Sequence, residues 1–408
     1  MTEANNILSL SNEIKYALDL IFIEGKYTSK AIYLTLKKRP QWIDSKRFLF
    51  SDTIYEIVRY WRLLWYILGT DDVLLHDKKT LRDILKIYTV YENKRGNNLI
   101  YNDTKQIPKR WINRLYRSDN IRVMRESIPD WLDDIGLKEI GEQWEPMIHS
   151  LNKKPLTYLR VNTLKIPCRD TLRGVLKREG VNTEPADIGR DSLLIKDRIN
   201  PFRLPSFHKG FFEVQDAASQ WVSEILEPEP GMTVIDACAG EGGKTLHLAA
   251  LMKNKGKILA LDHSIQRLKE LKRRAKRAGV DNIEVRLIKN SKSIKRLRGR
   301  ADRLLLDVPC SGLGTLRRNP DIKWKITLND LDRVRGIQRD ILERYHTLAK
   351  INGRIAYSVC SVLPSEGEKQ IRDFLEKHDQ FKLLKEEYIY PDTYNTDGFY
   401  VAIMERYK

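Results

Sequence analysis

The stretch Thr233-Val-Ile-Asp-Ala-Cys-Ala-Gly-Glu-Gly-Gly-Lys-Thr245 decides the fold. Thr233–Asp236 reads as a short apolar strand closing on an acid, and a helical pattern begins at Lys244. Glycines in the turn between them let a ligand approach the backbone closely. The helix N-terminus then offers free amide groups to an anionic or polar ligand group. The turn is not a Walker loop, because the Gly-x-x-x-x-Gly-Lys spacing is absent. On its own it is also compatible with a nucleotide or phosphate site of another kind.

The same strand-then-helix pattern continues toward the C-terminus. Strand candidates are 233–236, 258–262, 283–288, 303–308, 354–359 and 399–404, with helical patterns between them, as at 244–251 and 264–278. This alternation predicts a doubly wound, mostly parallel sheet with helices on both faces, and ligands at the carboxyl ends of its strands. The second strand ends at Asp262, where an acid can accept hydrogen bonds from both hydroxyls of a ribose. The alternative for Asp262 is to cap the next helix. Glycine turn and acid together favour an adenosine-containing cofactor.

The fourth strand runs into Asp307-Val-Pro-Cys310-Ser-Gly312 and the fifth into Tyr357-Ser-Val-Cys360-Ser361. Two adjacent strands thus deliver a cysteine to one sheet edge. That suits methylation of carbon 5 of a cytosine, a weak nucleophile until a thiolate adds to carbon 6. A second group must then help release the product, and an acid near the ring would stabilise the adduct. The other cysteines, Cys168 and Cys238, form no Cys-x-x-Cys pair with them, so neither a metal site nor a disulfide framework is expected.

Upstream, residues 1–126 read as all helix. Phe50, Ile54, Ile57, Trp61, Leu64 and Leu68 share one face of a long helix that Gly69 and Asp71-Asp72 stop. Leu10, Ile14, Ala17, Leu18 and Ile21 do the same earlier, and Trp111, Ile112 and Leu115 suit a short helix. The aromatic stripe reads as core of a helical bundle. Residues 127–215 read as a small α+β module, with a strand at 158–162 and a helix at 169–179. Residues 216–408 form the third, α/β domain.

The chain of 408 residues carries a net charge of +18, which favours a polyanionic partner such as nucleic acid. No apolar run approaches the roughly 20 residues of a membrane helix, and the N-terminus lacks signal-peptide features. A cytoplasmic protein without membrane or metal is expected, and the absence of heptads favours a monomer.

Taken together, Asp236-x-Cys-Ala-x-x-Gly-Gly-Lys-Thr, Asp307-x-Pro-Cys-Ser-Gly, Arg318-Asn-Pro-Asp-Ile-Lys-Trp324 and Tyr357-Ser-x-Cys-Ser361 resemble the Fmu/Sun/Nop (RsmB-type) family of RNA cytosine-5 methyltransferases. So do Leu159-Arg-Val-Asn-Thr-Leu164, Val214-Gln-Asp-Ala-Ala-Ser219 and Thr396-Asp-Gly-Phe399. The likeness covers about residues 127–408, and residues 1–126 more weakly resemble a NusB-like RNA-binding domain. It implies a Rossmann-like class I methyltransferase domain after an RRM- or ferredoxin-like module, with S-adenosyl-L-methionine as cofactor. It further implies Cys360 as nucleophile, Cys310 as the group assisting release, and Asp307 between cofactor and cytosine. Cys238, Ala239, Gly240, Glu241, Gly242, Gly243, Lys244, Asp262 and, less directly, Arg267 would hold the cofactor.

The chain departs from the family pattern in three places. Ala239-Gly-Glu-Gly-Gly243 stands where Ala-Pro-Gly-Gly is commoner, so Glu241 adds negative charge near the cofactor. Asn290 replaces the usual Asp, and its amide oxygen still accepts a hydrogen bond from the adenine amine. Val359 replaces Thr, a change of packing. No reacting group is lost, so an active enzyme is expected.

A target base must be single-stranded, looped or flipped out. Arg160, Asn162, Arg318 and Lys323, with Arg317, are placed to hold RNA, and Trp324 either stacks on a base or packs in a core. The basic segment 289–300 is a phosphate-contact candidate, whereas the charges of 267–277 circle their helix and form in part a solvated face. Ribosomal RNA of the small subunit is the expected substrate, with transfer RNA as the alternative. A non-catalytic assembly factor of the same fold is the reading from another class. A methyltransferase acting on exocyclic amines is disfavoured, because Pro309-Cys310 stands where those enzymes carry Pro-Pro-aromatic.

Overall fold

A computed structural model of the chain describes residues 7–70, 78–97, 99, 107–289 and 294–408. The described residues form two compact units, 1–152 with 316–326, and 153–315 with 327–408. A segment from within the third sequence region therefore belongs to the N-terminal unit.

The first unit is helical. Helices Ser11–Phe22, Thr28–Lys37, Asp44–Arg59, Trp61–Leu68, Lys78–Lys94 and Lys109–Ser118 enclose one apolar core. The long helix expected across Phe50 to Leu68 is two helices, because Tyr60 leaves helical geometry at φ −104° and ψ 24°. The apolar stripe survives the break: Phe50, Ile54, Ile57, Trp61 and Leu64 are all buried. Gly69 ends the second helix in the left-handed region at φ 86°, a conformation that suits glycine. Helices Arg122–Arg125, Asp130–Ile140, Trp144–Leu151 and Ile322–Lys325 also belong to the unit. Asp71 and Asp72 lie outside the described residues.

The second unit begins with a four-stranded antiparallel sheet of β1 (Tyr158–Val161), β2 (Thr183–Pro185), β3 (Ser192–Ile195) and β4 (Phe212–Val214). Its order β2-β3-β1-β4, with helix Arg169–Arg178 between β1 and β2, is ferredoxin-like. The larger sheet contains β5 (Thr233–Asp236), β6 (Lys257–Asp262), β7 (Ile283–Leu287), β8 (Ala301–Asp307), β9 (Ala349–Val359), β10 (Phe381–Ile389) and β11 (Phe399–Arg406). Its order is β10-β11-β9-β8-β5-β6-β7, parallel from β9 through β7 and antiparallel at β10 and β11.

Alternation along the strands explains the layers. Ile235, Leu304 and Ile355 face helices Leu328–Tyr345 and Glu368–Lys377, whereas Val234, Leu305 and Ala356 face Ala217–Ile225 and Gly243–Leu251. The chain builds outward from β5 in one direction and resumes at β8 in the other. The carboxyl ends of β5 and β8 flank this topological switch point, where such sheets bind ligands.

Candidate active site

The first wall of the site is the turn after β5. Gly240 and Gly242 both adopt positive φ, and at Gly242 (φ 88°) a Cβ would stand 2.6 Å from Leu271 Cγ. Only glycine brings the turn this close to helix Ile265–Ala278. Asp262 ties the turn to β6: its carboxylate accepts from Gly240 N at 2.9 Å and from Ser264 N at 2.7 Å. Asp262 thus fastens both neighbouring turns, and each oxygen keeps a lone pair for a further donor.

Asp236, at the end of β5, is 1% exposed. Its Oδ2 accepts from Thr245 Oγ1 at 2.7 Å, while its Oδ1 is buried without a partner. Burial, with the nearby Asp307 charge, pushes this carboxyl up to about 7, against the pull of the Thr245 hydrogen bond. Burial also pushes the Cys238 thiol well up.

The second wall comes from β8 and β9, which pair in parallel with Asp307 opposite Ser358. Asp307 accepts from Lys244 Nζ at 2.7 Å and from Ser358 Oγ at 2.9 Å, so one carboxylate joins the glycine-turn helix to both strands. Just beyond the strand ends, Cys310 Sγ and Cys360 Sγ stand 3.3 Å apart. The hydrogen bond to Cys360 is the first cause that raises the Cys310 thiol well above the ordinary cysteine range, followed by burial and the charges of Cys360 and Glu366.

Cys238, Ala239, Gly240, Glu241, Gly243, Lys244, Asp262, Arg267, Asp307, Cys310 and Cys360 line one cleft of about 1030 Å³. Gly242 does not line it and acts through the turn geometry. Asn290 lies outside the described residues. The acids Asp236, Glu241, Asp262 and Asp307 all face the cleft, and the unpaired Oδ1 of Asp236 awaits a donor. Lys244, Arg267, Arg274, Lys289 and Arg344 line the cleft as well. It therefore offers partners of both signs and fits S-adenosylmethionine, which carries a sulfonium, an ammonium and a carboxylate. Val214, Gln215, Ile288 and Tyr345 also line it; Val214 and Gln215 open the Val214–Ser219 motif, which assigns them no role, and no motif marks Ile288 or Tyr345.

The expected RNA contacts need correction. Arg160 is 2% exposed and donates to the Gly243 carbonyl at 2.5 Å and to Gln215 Oε1, so it braces the glycine turn from the ferredoxin-like module. Asn162 donates to the carbonyls of Gly210 and Ala278 at 2.7 and 2.8 Å. Lys323 is fully buried within the helical unit, with Nζ 2.6 Å from Asn152 Oδ1 and 3.1–3.2 Å from the carbonyls of Arg59, Glu126 and Ser127. Arg317 is buried on Ser150, and the Trp324 indole donates to the Val58 carbonyl at 2.7 Å. None of these side chains is presented to a phosphate. Arg318 is half-buried, and Lys295 and Arg298 are exposed.

Glu343, His346 and His378 are the group of potential metal ligands found among the described residues, their ligand atoms within 4.8 Å of one another. They do not line the cleft. His378 Nε2 already faces Glu343 Oε2 at 2.9 Å, and His346 Nδ1 faces the Leu342 carbonyl at 3.1 Å. No described helix is long and apolar enough to cross a membrane.

The geometry has counterparts among known proteins. The profile of the family described as 16S rRNA methyltransferase RsmB/F matches residues 223–405, and that of the RsmF/B-like ferredoxin-like domain matches residues 128–200. The chain is 33% identical over 298 residues to a probable ribosomal RNA small subunit methyltransferase B of Synechocystis sp., covering 69% of this chain and 67% of that protein. It is 34% identical over 285 residues to ribosomal RNA small subunit methyltransferase B of Photorhabdus laumondii, covering 67% of this chain and 65% of that protein. The matches thus span about two thirds of the length of these relatives. The crystal structure of PH0851 superposes with a TM-score of 0.77 at 28% identity, covering 97% of this chain and 98% of that one. The chain belongs to the RsmB/F family of S-adenosylmethionine-dependent ribosomal RNA small subunit methyltransferases.

Proposed function

We propose that this protein methylates carbon 5 of a cytosine in small-subunit ribosomal RNA, through a covalent bond between Cys360 and carbon 6. The observation that carries this reading is the 3.3 Å separation of the Cys310 and Cys360 sulfurs at a cleft that also holds the Lys244–Asp307 pair. When bound, S-adenosylmethionine supplies an electrophilic methyl group. The Cys360 thiolate adds to carbon 6, and the electron pair this moves to the ring makes carbon 5 nucleophilic. Once carbon 5 carries the methyl group, its proton must leave. Cys310, once its own thiol proton has passed to water, accepts that proton directly or through a water. The carbon–sulfur bond then breaks and returns the Cys360 thiolate. Asp307, held between Lys244 and Ser358, meets the polar edge of the cytosine.

In the same reading, residues 1–126 form an RNA-binding helical domain, joined by the helices of 130–151 and by 316–326; the sheet module of 127–215 braces the cofactor turn, and 216–408 carry the catalytic domain of a cytoplasmic enzyme. Arg318, Lys295 and Arg298 are the RNA contacts this reading keeps.

The test incubates wild type, Cys360→Ala and Cys310→Ala with labelled S-adenosylmethionine and RNA from a host lacking the protein. Nucleoside mass spectrometry identifies the product. Expected are 5-methylcytosine from wild type, none from Cys360→Ala, and an accumulating protein–RNA adduct with Cys310→Ala. Another labelled nucleoside, or full activity in Cys360→Ala, overturns the reading. A labelled transfer RNA in place of ribosomal RNA moves the substrate and leaves the chemistry standing.

A further inference from the structure

Each cysteine is followed by a serine, and the two serines are held in the same way. Ser311 Oγ accepts from Leu313 N and Ser361 Oγ accepts from Leu363 N, both at 3.3 Å. These are two matching turns in which a hydroxyl fixes the backbone two residues on. Both hydroxyls then donate to one atom, Glu366 Oε2, each at 2.5 Å. Glu366 Oε1 accepts from Ser311 N at 2.8 Å and from Gln338 Nε2 at 3.0 Å. The Glu366 carbonyl accepts from Tyr357 Oη at 2.7 Å, which ties the loop back to β9.

Glu366 and Ser361 are wholly buried, and Ser311 is 7% exposed. Four donors converge on this carboxylate, the arrangement that an acceptor-only group needs when it is buried. Glu366 does not line the cleft, so it touches neither cofactor nor base. It acts on the residue next to each reacting sulfur.

We propose that Glu366 is the positioning residue of the reaction: by holding Ser311 and Ser361 on one carboxylate it sets the separation of Cys310 and Cys360. The proposal rests on the two-cysteine reading above. Its charge has a second effect, since it is among the groups that keep the Cys310 thiol protonated, after the Cys360 hydrogen bond, burial and the Cys360 charge. Sulfur placement matters steeply, because a displacement of about 1 Å at a reacting group costs on the order of 100-fold in rate.

The test uses the full chain with Glu366→Gln, Glu366→Ala and Ser361→Ala, and thermal melting to confirm folding. The first readout needs no RNA: phenylarsine oxide bridges two thiols only when they are close together. Wild type should bind one equivalent across Cys310 and Cys360. Glu366→Ala should bind it at least about tenfold more weakly, and Glu366→Gln and Ser361→Ala by smaller factors in the same direction. The second readout is single-turnover methylation, expected to fall roughly 10- to 100-fold in Glu366→Ala, with S-adenosylmethionine affinity unchanged. If a folded Glu366→Ala binds the arsenical like wild type, the positioning role is wrong whatever the enzyme methylates. If capture weakens while the single-turnover rate stays at the wild-type value, Glu366 does not position the reaction and the proposal is overturned. If wild type captures the arsenical but makes no 5-methylcytosine, the two-cysteine chemistry fails instead, and the sulfur separation still reports on the clamp.

Discussion

Replacing Lys323 with methionine separates a structural cation from an RNA contact. The Lys323 ammonium is within hydrogen-bond reach of Asn152 Oδ1 and of the carbonyls of Arg59, Glu126 and Ser127. It has three N–H donors, so the substitution strands about three buried acceptors at roughly 1–3 kcal/mol each. Part of that loss is offset because no amine need be desolvated, and methionine fills the volume of the lysine stem. A net loss of about 3 kcal/mol follows. At roughly 2–4 °C per kcal/mol for a unit of this size, Tm should fall by about 6–12 °C.

The pH dependence has a definite sign. Burial pushes the Lys323 amine well down, helped by the Arg59 charge and opposed by Glu126 and Glu56. The unfolded chain therefore binds the extra proton, and wild-type stability rises with pH from the lowered folded value up to the ordinary 10.5. Lys323→Met should lose this rise. Calorimetry gives Tm, and fluorescence anisotropy with RNA over a salt series gives the charge contacts. The slope of log affinity against log salt should match wild type. An unchanged Tm together with a slope reduced by about 0.7, the value for one lost phosphate contact on a single strand, would refute the reasoning.

Three further outcomes follow from the site. Gly242→Ala combines a positive φ with the approach of a Cβ to within 2.6 Å of Leu271 Cγ. Left-handed strain and overpacking together should cost about 2–5 kcal/mol and abolish S-adenosylmethionine binding, as read by melting and titration calorimetry. Asp236, pushed up to about 7, holds a proton in the free protein that a bound cation should expel. Cofactor affinity should therefore rise roughly eightfold from pH 6 to 7.5 and level above that, with proton release visible in buffers of different ionisation heat; Asp236→Asn should flatten the dependence. The double reversal Lys295→Glu, Arg298→Glu should weaken RNA binding and reduce the salt slope by about 0.7 per contact, while Tm stays unchanged.

The parts of this molecule legible in sequence are those with a local pattern. The parallel strands β5, β6, β8 and β9 each carry an apolar run ending in a turn, so they could be read off, and Cys310 and Cys360 could be placed at neighbouring strand ends. β10 went unread because its middle residues are exposed and a register shift between Leu383 and Lys385 breaks its alternation, as is common on an edge strand. Buried polar groups are the harder case. A lysine reads as surface until its acceptors are known, and those of Lys323 are the Asn152 side chain and three backbone carbonyls, 171 to 264 residues away. Arg160 and Asn162 misled in the same way: a polar residue in a motif can contact substrate or hold the scaffold, and only the fold separates the two. Glu366 carries no signal of its own, since a lone acid in the loop after Cys360 looks like any solvated residue.

The arrangement of the two sulfurs also bears on when Cys310 can serve as the base. The bond to Cys360, burial, and the charges of Cys360 and Glu366 all raise the Cys310 thiol. In the proposed mechanism the Cys360 sulfur then becomes bonded to carbon 6. It loses its charge and most of its power to accept a hydrogen bond, so two of the four influences on Cys310 vanish at that moment. The remaining two, burial and Glu366, stay. The Cys310 thiol thus becomes easier to ionise only after the adduct has formed, which is the stage at which a base is required to take the carbon 5 proton. The two sulfurs behave as one coupled pair whose proton distribution changes along the reaction. Removing Glu366 strips away a third influence, so any Glu366→Gln enzyme that still turns over should show the rising limb of its release step, which reports ionisation of Cys310, at lower pH than wild type. A limb that does not move would mean that the carboxylate holds the loops without tuning the thiol.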